Sequence, residues 1–291
     1  MRTPSQRGCT HCIRARRRGV LGSRSRPLAG SRPRTATSRG NHAFLGGSSG
    51  DYATSVATDG AGNVYVTGSA WSTDFPTTAG AHRATAPGNN DAFLTKLAST
   101  GVTSWSTYLG GSASDSGYGV ATNGTDVYVA GTTGSNNFDG YARSATDYQA
   151  FVTKFVASTG ARTWSVYVGG TGSDEARDVA LGSGGRPVLV GFTNGLFPVT
   201  SDAVQGTFGG VRDGFVAILE TTGALTYATY FGGSEEDGTT RVATDSTGQI
   251  YFVGDTRSGI SRASERCREP GRRGRTRCRS SRSSRPTARR S

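Results

Sequence analysis

Residues 43–256 of this chain contain no cysteine and only one histidine, His82. A His-based catalytic triad would need partners for His82 that the sequence does not identify. No apolar run is long enough for a membrane-spanning helix, and no window has an amphipathic helical period. The sequence therefore excludes a recognisable triad and predicts neither a membrane span nor a helical domain.

Charge is distributed unevenly along the chain. Residues 43–256 have 9 Lys+Arg against 19 Asp+Glu, a net charge of −10. The flanks, 1–42 and 257–291, have 24 Arg and no Lys against 2 Glu, a net charge of +22. All four cysteines lie in the flanks, at Cys9, Cys12, Cys267 and Cys278. The net charge of +12 for the whole chain thus combines an acidic centre with two basic ends.

The two flanks are predicted to be Arg-rich disordered tails. Their apolar residues are sparse and without period, so they lack the material for a core. They also lack the interleaved aromatic residues of a nucleic-acid-binding domain, and no specific nucleic-acid partner is expected. Arg17-Arg18 is followed by GSRSRPLAGSRPR in place of an apolar run, so this reading frame has no usable signal peptide.

The central part is an internal repeat. The motif Gly-Gly-[Ser/Thr]-x-x-Asp begins at Gly46, Gly110, Gly169 and Gly232, with spacings of 64, 59 and 63 residues. A Val-rich stretch, a stretch like DAFLTKL, a Thr-Gly turn and a stretch like WSTYLGG follow in fixed order. The predicted units within domain 43–256 are 46–109, 110–168, 169–231 and a partial unit, 232–256.

Each unit contains four short runs rich in Val, Tyr, Phe, Thr and Trp, separated by Gly, Asn or Asp turns. This pattern is typical of a four-stranded antiparallel meander. Val64-Tyr65-Val66 is apolar on both faces, as expected for a sheet packed between two neighbours. The predicted fold is all-β, a β-propeller with three complete blades and one partial blade, which leaves the propeller incomplete or open.

The repeated words resemble the SBBP-type bacterial β-propeller repeat. The first unit, 46–109, is similar nearly throughout, including Thr73-Asp74-Phe75-Pro76 and Asp91-Ala92-Phe93. The second unit has Asn137-Phe138-Asp139 instead of Asp-Phe-Pro, and the third keeps Phe197-Pro198. The resemblance implies a propeller fold and an extracellular or cell-surface location. It implies no catalytic residues, since the family has no established common activity.

The repeat stops where an Asp-Phe-Pro word is expected after Gly254. If Gly259–Arg262 is encoded by GGG ATT TCC CGN, reading from the last base of the first codon gives Asp-Phe-Pro. Arg275–Cys278, written as CGG ACG CGC TGY, gives Asp-Ala-Leu in the same shifted frame. We therefore hypothesise that both tails are out of frame. Sequencing the gene across codons 255–280 tests this, and a third frame without propeller words would refute it.

Four aspartates occupy equivalent positions in the Gly-Gly motif. A carboxylate after a Gly-Gly turn accepts backbone N–H bonds and fixes the loop, which is the structural interpretation. The alternative is calcium, which takes oxygen ligands in glycine-rich loops, although no Asp-x-Asp-x-Asp-Gly loop is present. No other cofactor is indicated. The calcium candidates are Asp51, Asp115, Asp174 and Asp237.

The tryptophans divide into two groups. Trp105 and Trp164 share a strand position with Tyr227, and their alternating pattern favours packing over sugar stacking. Trp71 has no counterpart in the later units and lies in a loop before Thr73. It is the candidate for an exposed ligand contact.

Three functions remain open. The first is a non-enzymatic binding module that contacts a protein or a glycan through loops at one end of the propeller. The second is a remnant of a larger propeller protein, because closed propellers have roughly four to eight blades. Open blade edges would then invite self-association. The third is an enzyme with its site in the central channel, for which the repeat-breaking candidates are Asp139, Glu235 and Glu236.

Overall fold

The computed structural model describes residues 11–13, 41–144, 147–259, 265–268 and 278–280. Within these ranges the chain forms eighteen β-strands and two short 3-10 turns, Phe138–Gly140 and Ser183–Gly185. The predicted all-β class is confirmed. A short parallel pair comes first, made of β1 (His11–Ile13) and β2 (Asn41–Ala43).

Four sheets of four antiparallel strands follow, and in each the strands neighbour one another in chain order. Sheet 1 contains β3 (Asp51–Thr58), β4 (Val64–Ala70), β5 (Asp91–Leu97) and β6 (Thr103–Leu109). Sheet 2 contains β7 (Asp115–Thr122), β8 (Asp126–Thr133), β9 (Gln149–Val156) and β10 (Arg162–Tyr167).

Sheets 3 and 4 repeat this order. Sheet 3 contains β11 (Asp174–Leu181), β12 (Pro187–Thr193), β13 (Asp213–Leu219) and β14 (Leu225–Phe231). Sheet 4 contains β15 (Asp237–Thr244), β16 (Gln249–Thr256), β17 (Glu265–Arg268) and β18 (Cys278–Ser280). The predicted four-stranded meander is therefore present in the first three repeats, and sheet 4 also has four strands where a partial unit was predicted.

The first strand of each sheet carries a bulge at the same place. In sheet 1 the register shifts between Ala53 and Ser55, and the equivalent shift recurs in β7, β11 and β15. Gly68 lies opposite this bulge, and a β-carbon there would overlap the carbonyl oxygen of Tyr52. Gly131, Gly191 and Gly254 occupy the equivalent positions, and each of these glycines is required because the neighbouring backbone approaches too closely for a side chain.

The sheets bury their faces by stacking. Apolar clusters lie between consecutive sheets, for example Tyr65 with Phe155 between sheets 1 and 2. The first strand of each later sheet packs across the face of the preceding sheet. Thr54 Oγ1 also donates to Gly117 O at 2.6 Å, which ties β3 to β7. No sheet could bury both faces alone, and this is the physical basis of a repeat fold.

The four sheets form an arc that does not close into a ring. Packing joins sheet 1 to sheet 2, sheet 2 to sheet 3 and sheet 3 to sheet 4. At one end of the arc Tyr52 and Val56 on β3 are exposed, and at the other Val253 on β16 is exposed. The prediction of an open propeller is confirmed.

The tails fall largely outside the described residues, so their disorder and their reading frame stay predictions. The predicted repeats end at residue 256, whereas β17 and β18 extend sheet 4 with segments of the predicted tail. Pairing with β17 satisfies backbone groups at the edge of β16 that would otherwise lie unpaired. Among the described residues, no helix has the length and apolarity to cross a membrane.

Candidate functional site at the long-loop end

The repeat-specific loops gather at one end of every sheet, because strands alternate in direction. This long-loop end consists of the Gly-Gly-x-x-x-Asp loops and the long connections between the second and third strands. The Gly-Gly loops are 46–51, 110–115, 169–174 and 232–237, and the described long connections are 71–90, 134–144 and 194–212. Short turns such as 98–102 lie at the opposite end.

Each of the four repeated aspartates closes its own loop. Asp51 Oδ2 accepts a hydrogen bond from the backbone N–H of Gly47 at 2.7 Å. The same bond from the second glycine recurs in the other three repeats, at 2.7 Å for Asp115, 3.0 Å for Asp174 and 2.6 Å for Asp237. The structural role predicted for these carboxylates is therefore confirmed.

A serine from the following long connection completes three of these loops. Ser72 Oγ donates to Asp51 at 2.7 Å, Ser135 Oγ to Asp115 at 2.9 Å and Ser258 Oγ to Asp237 at 2.7 Å. Within the described residues, no group of three or more His, Cys, Asp or Glu side chains could hold a metal ion. Calcium binding by these four aspartates stays a prediction.

Burial and hydrogen bonding act differently on the pKa values of three loop aspartates, Asp115, Asp174 and Asp237. Desolvation raises the pKa of Asp115 to about 6 and that of Asp174 to about 6, against the hydrogen bonds each carboxylate accepts. Burial acts the same way on Asp237, but hydrogen bonds from Thr256, Gly233 and Ser258 outweigh it and lower the pKa. Equivalent positions in the repeat therefore differ electrostatically.

Trp71 is the large aromatic residue that the first long connection leaves in solvent. Trp71 is 54% exposed, and its backbone N–H donates to Gly50 O at 3.1 Å. The equivalent positions in the next two repeats are Gly134 and Asn194. A rigid backbone thus presents an indole ring that only the first repeat possesses.

The other two tryptophans are packing residues, as predicted. Trp105 is buried, and its Nε1 donates to Ala157 O in the next sheet at 3.1 Å. A β-carbon on Gly160 would lie 2.7 Å from the ring of Trp105, so this glycine covers one face of the indole. Trp164 repeats the arrangement, donating to Thr221 O at 3.0 Å. Both rings lock neighbouring sheets together.

Asp139, which breaks the Asp-Phe-Pro word, is the centre of a charged cluster. Its carboxylate is fully buried, contacts His82 Nε2 and lies 3.0 Å from Arg162 Nε. Ser165 Oγ donates a hydrogen bond to the other side of the same carboxylate. The backbone of Asp139 is left-handed, with φ of 52°, a conformation rare outside glycine. Cationic groups and a hydroxyl therefore hold a strained, buried acid between sheets 1 and 2.

The order of groups in this cluster does not suit nucleophilic catalysis. In a Ser-His-Asp triad the imidazole lies between the hydroxyl and the carboxylate, so that it takes the proton of the nucleophile. Here Asp139 lies between Ser165 and His82, and the buried hydroxyl donates to the acid. The arrangement is that of an electrostatic tie between sheets.

The remaining two channel candidates lie in the last Gly-Gly loop. Glu236 pairs with Arg257 at 2.7 Å, and the backbone N–H of Glu235 donates to Ser258 Oγ at 3.0 Å. Both interactions stay within the loop and the connection that follows β16. The structure therefore does not bring these residues together with Asp139, which lies in sheet 2.

Sequence reasoning missed a stack of alternating guanidinium groups and aromatic rings where sheets 2 and 3 meet. The guanidinium of Arg177 lies 4.8 Å from the ring centre of Tyr118 and 5.0 Å from that of Phe192. Arg212 covers Phe192 at 4.6 Å and pairs with Asp255 at 3.0 Å. Tyr118 and Arg177 occupy the bulge position that is Thr54 in the first repeat. Comparing bulge residues between units would have revealed them.

Comparison with known proteins supports the repeat assignment. The family model described as the SBBP beta-propeller repeat matches residues 43–76, which run from β2 to the Phe75-Pro76 word. The predicted resemblance is thereby confirmed. No curated protein sequence matches the chain.

A solved structure similar to this chain is BamB from Moraxella catarrhalis. It is 13% identical, and the match covers 70% of this chain and 80% of that chain with a TM-score of 0.17. A TM-score this low carries no argument about fold or function. The propeller architecture is established by the four stacked meanders and by the repeat match.

Proposed function

We propose that this chain, which carries an SBBP β-propeller repeat, is a non-enzymatic binding module of a secreted or surface-associated bacterial protein. The propeller module itself follows from the stacked sheets and the repeat match. The binding role rests on what the long-loop end exposes. The location rests on the family resemblance.

The observation that carries the proposal is the placement of exposed apolar side chains. Exposed large apolar side chains are unfavourable in water. Where several occur together, they commonly mark an interaction site. The described parts of the three long connections, which include Tyr148 directly before β9, place six such residues at the long-loop end: Trp71, Tyr141, Tyr148, Leu196, Val204 and Val211. Function is commonly carried by loops held on a rigid scaffold, and this end has that organisation.

Trp71 is the expected anchor of the contact. An indole ring supplies a large apolar face with few rotatable bonds, which suits stacking on a sugar ring or insertion into a protein pocket. The loop beneath it is fixed, since Ser72 Oγ and Asp51 hydrogen-bond at 2.7 Å. Little conformational entropy is therefore lost when a ligand binds there.

The non-enzymatic part of the proposal is supported by the chemistry of the polar clusters. Asp139 forms an ion pair with Arg162 and contacts His82, and Ser165 is buried beside it. In the stack of guanidinium groups and rings, Arg177 pairs with Glu175 at 2.8 Å and Arg212 pairs with Asp255 at 3.0 Å. These groups hold one another and are not arranged around a space for a reacting atom.

A glycan array probed with the purified full chain tests the binding role. Trp71→Ala should lower the affinity for any bound glycan by roughly 30-fold, the loss expected of an interface hot spot. Val102→Ala is the matched control, because Val102 is 66% exposed but lies in a short turn at the opposite end. Equal loss in both variants, or no loss in either, would contradict a site at Trp71.

Two further measurements address the remaining parts. Release of new reducing ends from an array glycan by the wild-type protein would overturn the non-enzymatic assignment. Protease treatment of intact cells that express the full chain should digest it if it is surface-located. Complete protection, with digestion after lysis, would contradict the location.

A further inference from the structure

Each pair of consecutive sheets meets at a junction near the long-loop end, and the three junctions are built alike except in one respect. Each junction brings the first residue of a third strand against the next Gly-Gly loop. The first residue is Asp91 at the junction of sheets 1 and 2, Gln149 at sheets 2 and 3, and Asp213 at sheets 3 and 4. The difference is where each junction obtains a hydrogen-bond donor for its buried oxygens.

Two junctions contain a side-chain amide that supplies this donor. Gln149 Nε2 donates to Gly172 O at 2.9 Å and to Tyr148 O at 3.2 Å. Gln205 Nε2 donates to Asp213 Oδ2 at 3.1 Å, while Asp213 Oδ1 has no partner among the described residues. A buried polar group needs such a partner, because leaving it unpaired costs about 1–3 kcal/mol.

Among the described residues, the first junction has no side-chain amide that donates to its buried oxygens. Asp91 is fully buried, and its Oδ1 has no hydrogen-bond partner among the described residues. Asn90 is 7% exposed, and its Oδ1 likewise has no partner there. The position equivalent to Gln205 is Arg83. Its Nε lies 3.6 Å from Asp139 Oδ1, so Arg83 belongs to the charged cluster around Asp139.

Backbone oxygens converge on the same place. A β-carbon built on Gly88 would lie 2.6 Å from Ala113 O, 2.7 Å from Gly111 O and 3.2 Å from Asp91 Oδ1, so these three oxygens lie close together beside Gly88. A β-carbon on Gly110 would lie 2.5 Å from Asp91 Oδ1 and 2.7 Å from Asp115 Oδ2. Two carboxylates and two carbonyls therefore face one another across two glycines.

We propose that the junction of sheets 1 and 2 binds a calcium ion through Asp91, Asp115 and the carbonyl oxygens of Gly111 and Ala113. Calcium takes carboxylate, amide and backbone oxygens in flexible geometry, which matches this donor set. The ion takes the place that the amide of Gln149 fills in the next repeat. Asp91, absent from the candidates that the sequence suggested, is the central ligand, and Asp115 faces it.

The electrostatics of the junction favour a cation. Burial, together with the nearby charge of Asp115, raises the pKa of Asp91 to about 7, against the hydrogen bond from Gly88. Arg83 acts in the opposite direction but is the weakest of these influences. A divalent ion would neutralise both carboxylates at once and satisfy the unpaired oxygens.

Thermal unfolding of the full chain at pH 7.5 tests the proposal. Calcium chloride at one hundred times its dissociation constant should raise the unfolding midpoint by about 5–10 °C relative to chelator. Magnesium chloride and sodium chloride at matched ionic strength should give less than half of this shift. Isothermal titration with calcium alone should give one site per chain.

Internal repeats provide matched variants. Asp91→Gln copies the arrangement of Gln149, so it should fold, keep or gain stability in chelator, and lose the calcium shift. Gln149→Asp makes the second junction resemble the first and should bind a second calcium ion. Asp202→Asn, a change of an exposed carboxylate in the third long connection, should leave the calcium shift unchanged.

Three outcomes would overturn the proposal. A folded wild-type protein without a calcium shift would show that Asp91 is held as a neutral acid. An equal shift with magnesium or sodium would identify general screening. A calcium shift that survives in Asp91→Gln would place the ion elsewhere. Failure of glycan binding in the Trp71 experiment bears on none of these.

Discussion

Ser165 on β10 donates a hydrogen bond to the buried carboxylate of Asp139, which reaches it from the connection after β8. In the first and third repeats the equivalent residues are Ser106 and Ala228, and the long connection reaches them through a backbone hydrogen bond. Thr78 N–H donates to Ser106 O at 3.1 Å, and Thr200 N–H donates to Ala228 O at 3.1 Å. The second repeat thus replaces a backbone contact to the long connection with a charged one.

Removing the charge of Asp139 should destabilise the protein. Asp139→Ala leaves the guanidinium of Arg162 without its anion and the hydroxyl of Ser165 without its acceptor, and we expect a loss of about 2–4 kcal/mol in the free energy of unfolding. Asp139→Asn should lose less, since asparagine tolerates the left-handed backbone and still accepts one hydrogen bond. Urea unfolding of the three proteins gives the comparison. Wild-type stability in the alanine variant would show that the cluster does not hold the sheets.

A side chain at Gly68 should disrupt the bulge in sheet 1. Gly68→Ala places a methyl group on the carbonyl oxygen of Tyr52, so strand β3 or β4 must shift. Overpacking of this kind costs about 1–3 kcal/mol. The control is Gly60→Ala, because a β-carbon there meets no atom within 4 Å and the backbone is not left-handed. Denaturant midpoints of the two variants should differ, and equal midpoints would contradict the proposed steric requirement.

Stability should fall between about pH 4 and pH 7 because of Asp174. Burial raises the pKa of this carboxyl from 3.8 to about 6 in the folded protein. A raised folded pKa means that the native state holds the proton longer than the unfolded chain does. The stabilisation is therefore complete below the unfolded pKa and is lost as the pH rises through about 6.

Asp174→Asn tests this pH dependence. Since an amide does not titrate, the variant should lose roughly 2–3 kcal/mol less than wild type between pH 4 and pH 7.5. Unfolding free energies from urea titrations at four pH values in this range provide the measurement. Parallel curves for the two proteins would show that Asp174 does not carry the effect.

The open face of sheet 1 should drive self-association. Val56 on β3 is 60% exposed, and a ring-closing sheet would cover this strand. Val56→Lys places a charge on this face and should lower the weight-average mass in sedimentation experiments toward that of the monomer. Val102→Lys makes the same chemical change in a turn far from the face. Association that persists unchanged in Val56→Lys would assign the contact to another surface.

The strands were predictable because their signals are local. Runs such as Val64-Tyr65-Val66 and turns such as Asp59 to Asn63 carry the meander in the residues themselves. The structure shows why: Asp59 accepts hydrogen bonds from the N–H groups of Ala61 and Asn63, both at 3.0 Å, which closes the turn within the segment. The buried role of Trp105 followed from alternation along its strand in the same way.

The candidate sites were predictable only in part. Trp71 was singled out because it has no counterpart in later repeats, and its role as a ligand contact stays a prediction. The stack of Arg177 with Tyr118 was missed because these side chains belong to different sheets, and the bulge that aligns them is not visible in a strand pattern. Asp91 was missed because a comparison of strand patterns does not show hydrogen bonding. Gln149, its equivalent in the next repeat, donates to Gly172 O, and a carboxylate at that position has no N–H to donate.

The amino-acid sequence by itself determined the unit of this protein, a meander of four strands with a glycine opposite each bulge, since propensity and turn chemistry act between neighbours along the chain. Only the tertiary structure decided which polar groups are satisfied where one sheet meets the next. Burial removes water from residues far apart in sequence, and the partner that replaces it, whether amide, arginine or ion, depends on which atoms the stacking brings together.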